Sequence, residues 1–222
     1  LEDLVYLVDD PAGTPVSDKV TAQRLMGLLA REPGGRLTLT TAVPVTTSDV
    51  TAAGTLFYTP HVHTLLPVYD GTRWLLKTFA EISLALTLTA DKNYDVFLYD
   101  NAGTLTLQLT AWTNGTTRAT ALTTQNGVLV LTGSLTRRYL GTFYTTATTT
   151  TEDSFARRML WNYYNRVPRI LRVLEATNTW TYSTDTYRQA NASTANQVDL
   201  VVGVAEVLLD LTLSASSTNN NA

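Results

Sequence analysis

Thr104-Leu105-Thr106-Leu107-Gln108-Leu109-Thr110-Ala111 alternates polar and apolar side chains without a break. Successive side chains of a strand point to opposite faces, so Leu105, Leu107, Leu109 and Ala111 share one face and the polar residues the other. A helical period would scatter the same residues around the axis. Threonine suits the wet face because it is β-branched and already restricted at χ1. The alternation recurs at residues 37–40 and 82–89. Roughly two residues in eleven of the whole chain are threonine, against the more even mixture of ordinary soluble domains. The expectation is an all-β protein, an antiparallel β-sandwich or meander, whose hydroxyl-covered surface suits a passive structural part better than an enzyme.

Turn signals punctuate the sequence outward from this stretch: Asp70-Gly71, Asp100-Asn101-Ala102-Gly103, Asn114-Gly115 and Asn126-Gly127. Asn and Asp tolerate positive φ and Gly adopts it freely, so these pairs favour hairpins. Their separations, on the order of 10–30 residues, fit an antiparallel arrangement rather than βαβ units. Residues 152–166 also fit a helix through Phe155, Met159 and Tyr163. Their aromatic content and the following Pro168 favour an extended or bulged strand.

The chain has 222 residues, enough for one large β domain or a domain with extensions. It contains no Cys, which removes disulfides, thiolate nucleophiles and Cys-based zinc sites. A net charge of −3 argues against a general nucleic-acid binder. Only 16% of residues are charged, as expected of a subunit with large contact surfaces. No run approaches the 18 or so apolar residues of a membrane span, so no membrane insertion is expected.

Three regions follow. Residues 1–35 read as a leader: a short strand through Val5 and Leu7, a turn-rich connector, and a helix over residues 21–30 with Thr21 as its cap and Leu25, Leu28 and Leu29 on one face. No local partner can cover that apolar face, so Val5, Leu7, Leu25, Leu28 and Leu29 are the expected docking residues. Residues 36–175 form the β-rich body. Residues 176–222 read as a C-terminal β extension with a polar tail. Its apolar stretch 198–213, including Val201 and Leu208, suggests a strand buried by a neighbouring subunit, or a chain that continues into a further domain.

The body resembles a module common in structural proteins of tailed bacteriophages, found in fibres and appendages. The residues that carry the resemblance are Leu56-Phe57-Tyr58-Thr59-Pro60, Tyr69-Asp70-Gly71-Thr72-Arg73-Trp74, Tyr94-Asp95-Val96-Phe97-Leu98-Tyr99-Asp100, Trp112-Thr113-Asn114, Arg137-Arg138-Tyr139-Leu140-Gly141-Thr142 and Trp161-Asn162-Tyr163-Tyr164-Asn165-Arg166-Val167. Residues 4–30 resemble the short leader that ties such fibres to the particle. The resemblance implies a non-enzymatic, homotrimeric virion appendage that contacts other virion proteins of the capsid, portal or tail. A glycan-binding or glycan-cleaving receptor module on the same appendage, facing a host surface glycan, is the alternative.

The candidate chemistry is sparse. His61-Val62-His63 would place both rings on one face of a strand and could ligate a metal across a trimer, but a lone H-x-H more often marks two partly exposed histidines. Asp91-Lys92-Asn93-Tyr94-Asp95 opens like a calcium loop, then fails at Val96 and Ala102. No G-x-S-x-G elbow is present, and the acids do not stand out as a pair. No cofactor or metal is therefore expected. Arg157, Arg158, Arg166, Arg169 and Arg172 surround Trp161, Tyr163 and Tyr164. Such clusters can bind single strands of nucleic acid, but with a negative chain they fit a protein interface better. Trp161, Tyr163, Tyr164, Arg166, Val201 and Leu208 are the expected subunit-interface residues.

Overall fold

A computed structural model of the chain describes residues 4–9, 16–21 and 32–204 apart from positions 178 and 182. In chain order, β1 (Leu4–Asp9) and β2 (Val16–Thr21) come first. The body then runs through β3 (Gly35–Thr38), β4 (Val50–Ala53), β5 (Thr55–Pro60), β6 (Leu65–Tyr69), β7 (Trp74–Thr78) and β8 (Ile82–Ala85). It continues with β9 (Asn93–Asn101), β10 (Thr104–Ala111), β11 (Leu122–Gln125), β12 (Val128–Leu131) and β13 (Ser134–Ala147). Four short strands, β14 (Thr150–Asp153), β15 (Arg157–Arg158), β16 (Leu160–Asn162) and β17 (Asp199–Leu200), complete it. Among the described residues the only helical element is a 3₁₀ turn at Ala190–Ala192. The fold is all-β.

β1 and β2 form an antiparallel hairpin, with Leu4 opposite Thr21 and Asp9 opposite Val16. The sequence reading expects only the first of these strands. Thr21 ends β2, whereas the expectation was that it caps a helix. The rest of the expected helix, with Leu25, Leu28 and Leu29, lies outside the described residues, as do Leu208 and the side chains of Val5 and Leu7.

The 14-residue β13 is the spine of the largest sheet. One edge pairs with β9, which pairs in turn with β10. Along the other edge β12 and β16 share the strand, and β14 folds back on its end. A bulge at Leu140 breaks the register with β9, because Tyr139 faces Phe97 while Gly141 already faces Val96. Leu140 faces the main core and Tyr139 the opposite side, and the extra residue returns Phe143, three positions on from Leu140, to the main-core face. β3, β5 and β8 form a second sheet, and β6 and β7 a third.

Apolar alternation decides what meets between the layers. Tyr94, Val96, Leu98, Leu107, Leu140 and Phe143 of the large sheet pack against Leu37, Leu56, Tyr58, Leu66 and Val68 of the small ones. Leu105, Leu109 and Ala111 are partly buried and pack against the same cluster, so the apolar face of β10 turns to the core where the period of two places it. Each buried side chain of this size contributes about 1.5–3 kcal/mol. The reverse face of the large sheet carries a smaller cluster of Phe97, Leu131 and Tyr139, flanked by Leu122, Trp161, Tyr163 and Val204.

The turns follow backbone sterics. Ala102-Gly103 and Asn126-Gly127 both take positive φ at the two tip positions of tight hairpins. At the tip between β6 and β7, Asp70 Oδ1 accepts the Thr72 and Arg73 N–H groups at 2.7 and 2.8 Å. Asn114-Gly115 reverses the chain between Trp112 and Arg118, which form a single antiparallel bridge, but without positive φ at Gly115. Asn114 Oδ1 accepts the N–H groups of Thr116 and Thr117 at 2.9 and 2.8 Å, an Asx-type turn.

Threonine is not confined to the surface. Thr38, Thr59, Thr142, Thr145 and Thr151 are buried. Their hydroxyls are satisfied: Thr38 donates to Val43 O at 2.7 Å, Thr145 to Thr89 O at 2.7 Å and Thr151 to Tyr144 O at 2.6 Å. β3 is buried along its whole length, whereas the alternating 37–40 stretch suggests one wet face. Only the first half of 82–89 is a strand. Residues 152–166 are extended, in short strands, as the aromatic content suggests. Of the region 176–222, read as a β extension, residues 176–198 hold no described strand, β17 falls within it, and residues 205–222 lie outside the described residues.

Candidate interaction surface

The Arg- and aromatic-rich segment begins at β15 and β16, held on the body by the edges of β14 and β13. Trp161 and Tyr163 lie against the buried Tyr139 ring at centroid distances of 6.4 and 5.7 Å. Tyr164 packs edge-on to Tyr163 at 4.7 Å and borders the main core. The Arg138 guanidinium sits 4.7 Å from the Tyr164 ring centre and donates to Pro67 O at 2.9 Å. Burial raises the Tyr58, Tyr139 and Tyr164 phenols above their ordinary value. Trp161, Tyr163 and Tyr164 thus spend much of their surface inside the chain's own fold. Arg166 is exposed, and Val201 is half-buried on the groove described below.

Most of the neighbouring arginines are tied to acids. Arg157 pairs with Glu152 at 3.0 Å and Asp199 at 3.4 Å, and Arg158 with Asp153 at 2.9 Å. Arg169 reaches the other Asp153 oxygen at 2.9 Å, and Arg172 lies 4.8 Å from the Phe155 ring centre. Paired guanidinium groups of this kind hold segments together and are poorly placed to replace counterions on nucleic acid.

A second polar network lies under the returning C-terminal segment. Asp95 is almost fully buried and accepts from Arg118 Nε at 2.7 Å, Arg118 Nη2 at 3.2 Å and Thr142 Oγ1 at 2.6 Å. Arg118 also donates to Gly203 O, and its guanidinium lies 4.4 Å from the Trp112 ring centre. Sequence reading assigns Asp95 to a failed calcium loop, and pairing across 23 residues explains why its partner was missed.

Leaving β16, the chain runs as an irregular arm from Tyr163 to Val198. Ile170 O accepts Arg158 Nε and Nη2 at 3.1 and 2.8 Å, and Arg172 N–H donates to Phe155 O at 2.9 Å. Between and beyond these anchors the arm presents Ile170, Leu174, Trp180, Tyr187 and Val198 to solvent, with Leu174 79% exposed. The chain matches no protein family, no curated protein and no solved structure. The arm is the most extensive group of exposed large apolar side chains among the described residues.

Other candidates resolve into local structure. His61 and His63 are exposed in a bend after β5, and His63 Nδ1 accepts the Leu65 N–H at 3.2 Å, so the expected shared strand face does not form. No group of three metal-ligating residues occurs among the described residues. Asp100 caps its hairpin by accepting the Gly103 N–H at 2.8 Å, and pairs with Lys77. An open groove of about 410 Å³ is lined by Asn93, Tyr144, Arg157, Met159, Asp199 and Val201, among others.

Proposed function

We propose that this chain is a non-enzymatic structural subunit of a tailed-bacteriophage virion, a homotrimeric fibre or appendage anchored to the particle through its N-terminal leader. The observation that carries the reading is the arm. A body with a complete core of its own exposes Ile170, Leu174, Trp180 and Tyr187 on an extended segment. A single copy leaves that apolar surface in water, and burial between identical subunits removes the cost. The low charge content and the likeness of the body motifs to phage appendage proteins support the same reading.

Light scattering on the full chain tests it. The expected mass is three times the 24.3 kDa of one chain. Ile170→Asp with Leu174→Asp should dissociate the assembly while circular dichroism retains its β signature. A monomeric wild-type protein overturns the proposal. The anchor is tested separately by deleting residues 1–30, which should leave a folded body that no longer joins particles.

The open groove favours glycan binding as a second reading. Tyr144 offers a ring, and Asn93, Arg157 and Asp199 offer polar groups. Glycan cleavage calls for two carboxyl groups across the scissile bond. Asp199 is the one acid among the described residues lining the groove, and it pairs with Arg157. Loss of host-surface binding on Tyr144→Ala, with assembly intact, would support this reading.

A further inference from the structure

We propose that the cavity between β3, β15 and the start of the arm is a binding site for a small inorganic anion of halide size. Arg36, Arg158 and Arg169 line it together with one carboxylate, Asp153, so three guanidinium groups face a single negative charge. Asp153 is already committed. Its Oδ1 accepts from Arg158 Nη1 at 2.9 Å, and its Oδ2 from Arg169 Nη2 at 2.9 Å and Thr46 Oγ1 at 3.2 Å.

Arg36 supplies the independent observation. Only 6% of it is exposed, and its Nε–H finds no acceptor in the protein. Its Nη1 donates to Asn165 O at 2.5 Å, which fixes the guanidinium without neutralising it. An unmet buried donor on a charged group is costly, so a native structure that keeps one usually has a water or ion there. Burial, then the like charge of Arg169, push Arg36 down to about 10 although Asp153 opposes the shift. A bound anion would offset both effects. The cavity volume of about 30 Å³ holds roughly two waters or one halide-sized ion.

The placement gives the ion a role. Arg36 belongs to the first strand of the body, Arg158 to β15, and Arg169 to the arm. One anion between them would join the arm to the body, next to the exposed Ile170.

The test is thermal unfolding of the full chain at constant ionic strength, with potassium chloride or bromide replacing potassium gluconate. The expected result is a saturable rise in Tm of roughly 3–6 °C for both halides. Arg169→Gln should abolish the rise, and Arg73→Gln, an exposed arginine elsewhere, should leave it unchanged. Crystals soaked in bromide should show an anomalous peak between Arg36 and Arg169. Equal halide responses in wild type and Arg169→Gln, or a cavity occupied by water only in bromide-soaked crystals, would overturn the proposal.

Discussion

The side-chain amide of Asn162 pairs with the main chain of Leu37 as a neighbouring strand would. Leu37 N–H donates to Asn162 Oδ1 at 2.7 Å, and Asn162 Nδ2 donates to Leu37 O at 3.0 Å. This two-bond ring joins the small sheet to the edge of the large one, across 125 residues of sequence. Asn162→Ala removes the amide without adding bulk and leaves both buried main-chain groups unmet. The expected loss is about 2–4 kcal/mol, read from the urea midpoint at unchanged m-value. A midpoint within error of wild type would show that water replaces the amide.

The Asp95–Arg118 pair is expected to be the most sensitive charged contact in the body, because Asp95 is only 1% exposed. Asp95→Ala removes the acid paired with the part-buried Arg118 guanidinium and leaves the Thr142 hydroxyl to Tyr139 Oη, with an expected cost of about 3–5 kcal/mol. A double variant that also replaces Arg118 with Met should recover part of that loss. A double-mutant cycle with no coupling would contradict the pairing.

Glu81 should contribute to acid sensitivity. Burial works to raise its pKa, but hydrogen bonds from Thr41 Oγ1, Thr59 Oγ1 and the Ala42 N–H prevail and hold it below the ordinary 4.5. A carboxyl group lowered on folding stabilises the protein fully above its unfolded value, and that contribution disappears as pH falls through the folded value. Glu81→Gln is expected to be less stable at neutral pH, with the difference from wild type shrinking below pH 4.5. Parallel stability curves for the two proteins would contradict the assignment.

At Gly203 the returning segment lies directly against the body. A Cβ there would overlap Tyr139 Oη and crowd Thr142 Oγ1 and Trp161 Cε3. Tyr139 is fully buried and has no space to yield, so Gly203→Ala should lift the segment off the second cluster. Faster proteolysis at residues 195–205 and a red shift of tryptophan emission are expected. Both would be absent if the segment does not pack on Tyr139 in solution.

Local sterics and periodicity were readable along the chain, and they determined the all-β class. The alternation at Thr104–Ala111 fixed which side of β10 is buried, and the Asn-Gly and Ala-Gly tips fixed two hairpins, because side-chain direction and positive φ are properties of neighbouring residues. The hidden part is long-range. No local pattern marks Thr142 or Thr145 as buried, since a threonine looks alike on either face until its partner is known. The Leu140 bulge, the Asn162–Leu37 ring and the meeting of Arg36, Arg158 and Arg169 around Asp153 also depend on which strands are neighbours. That choice belongs to the tertiary structure, because the energy of a buried polar group is set by the groups brought to it from distant sequence.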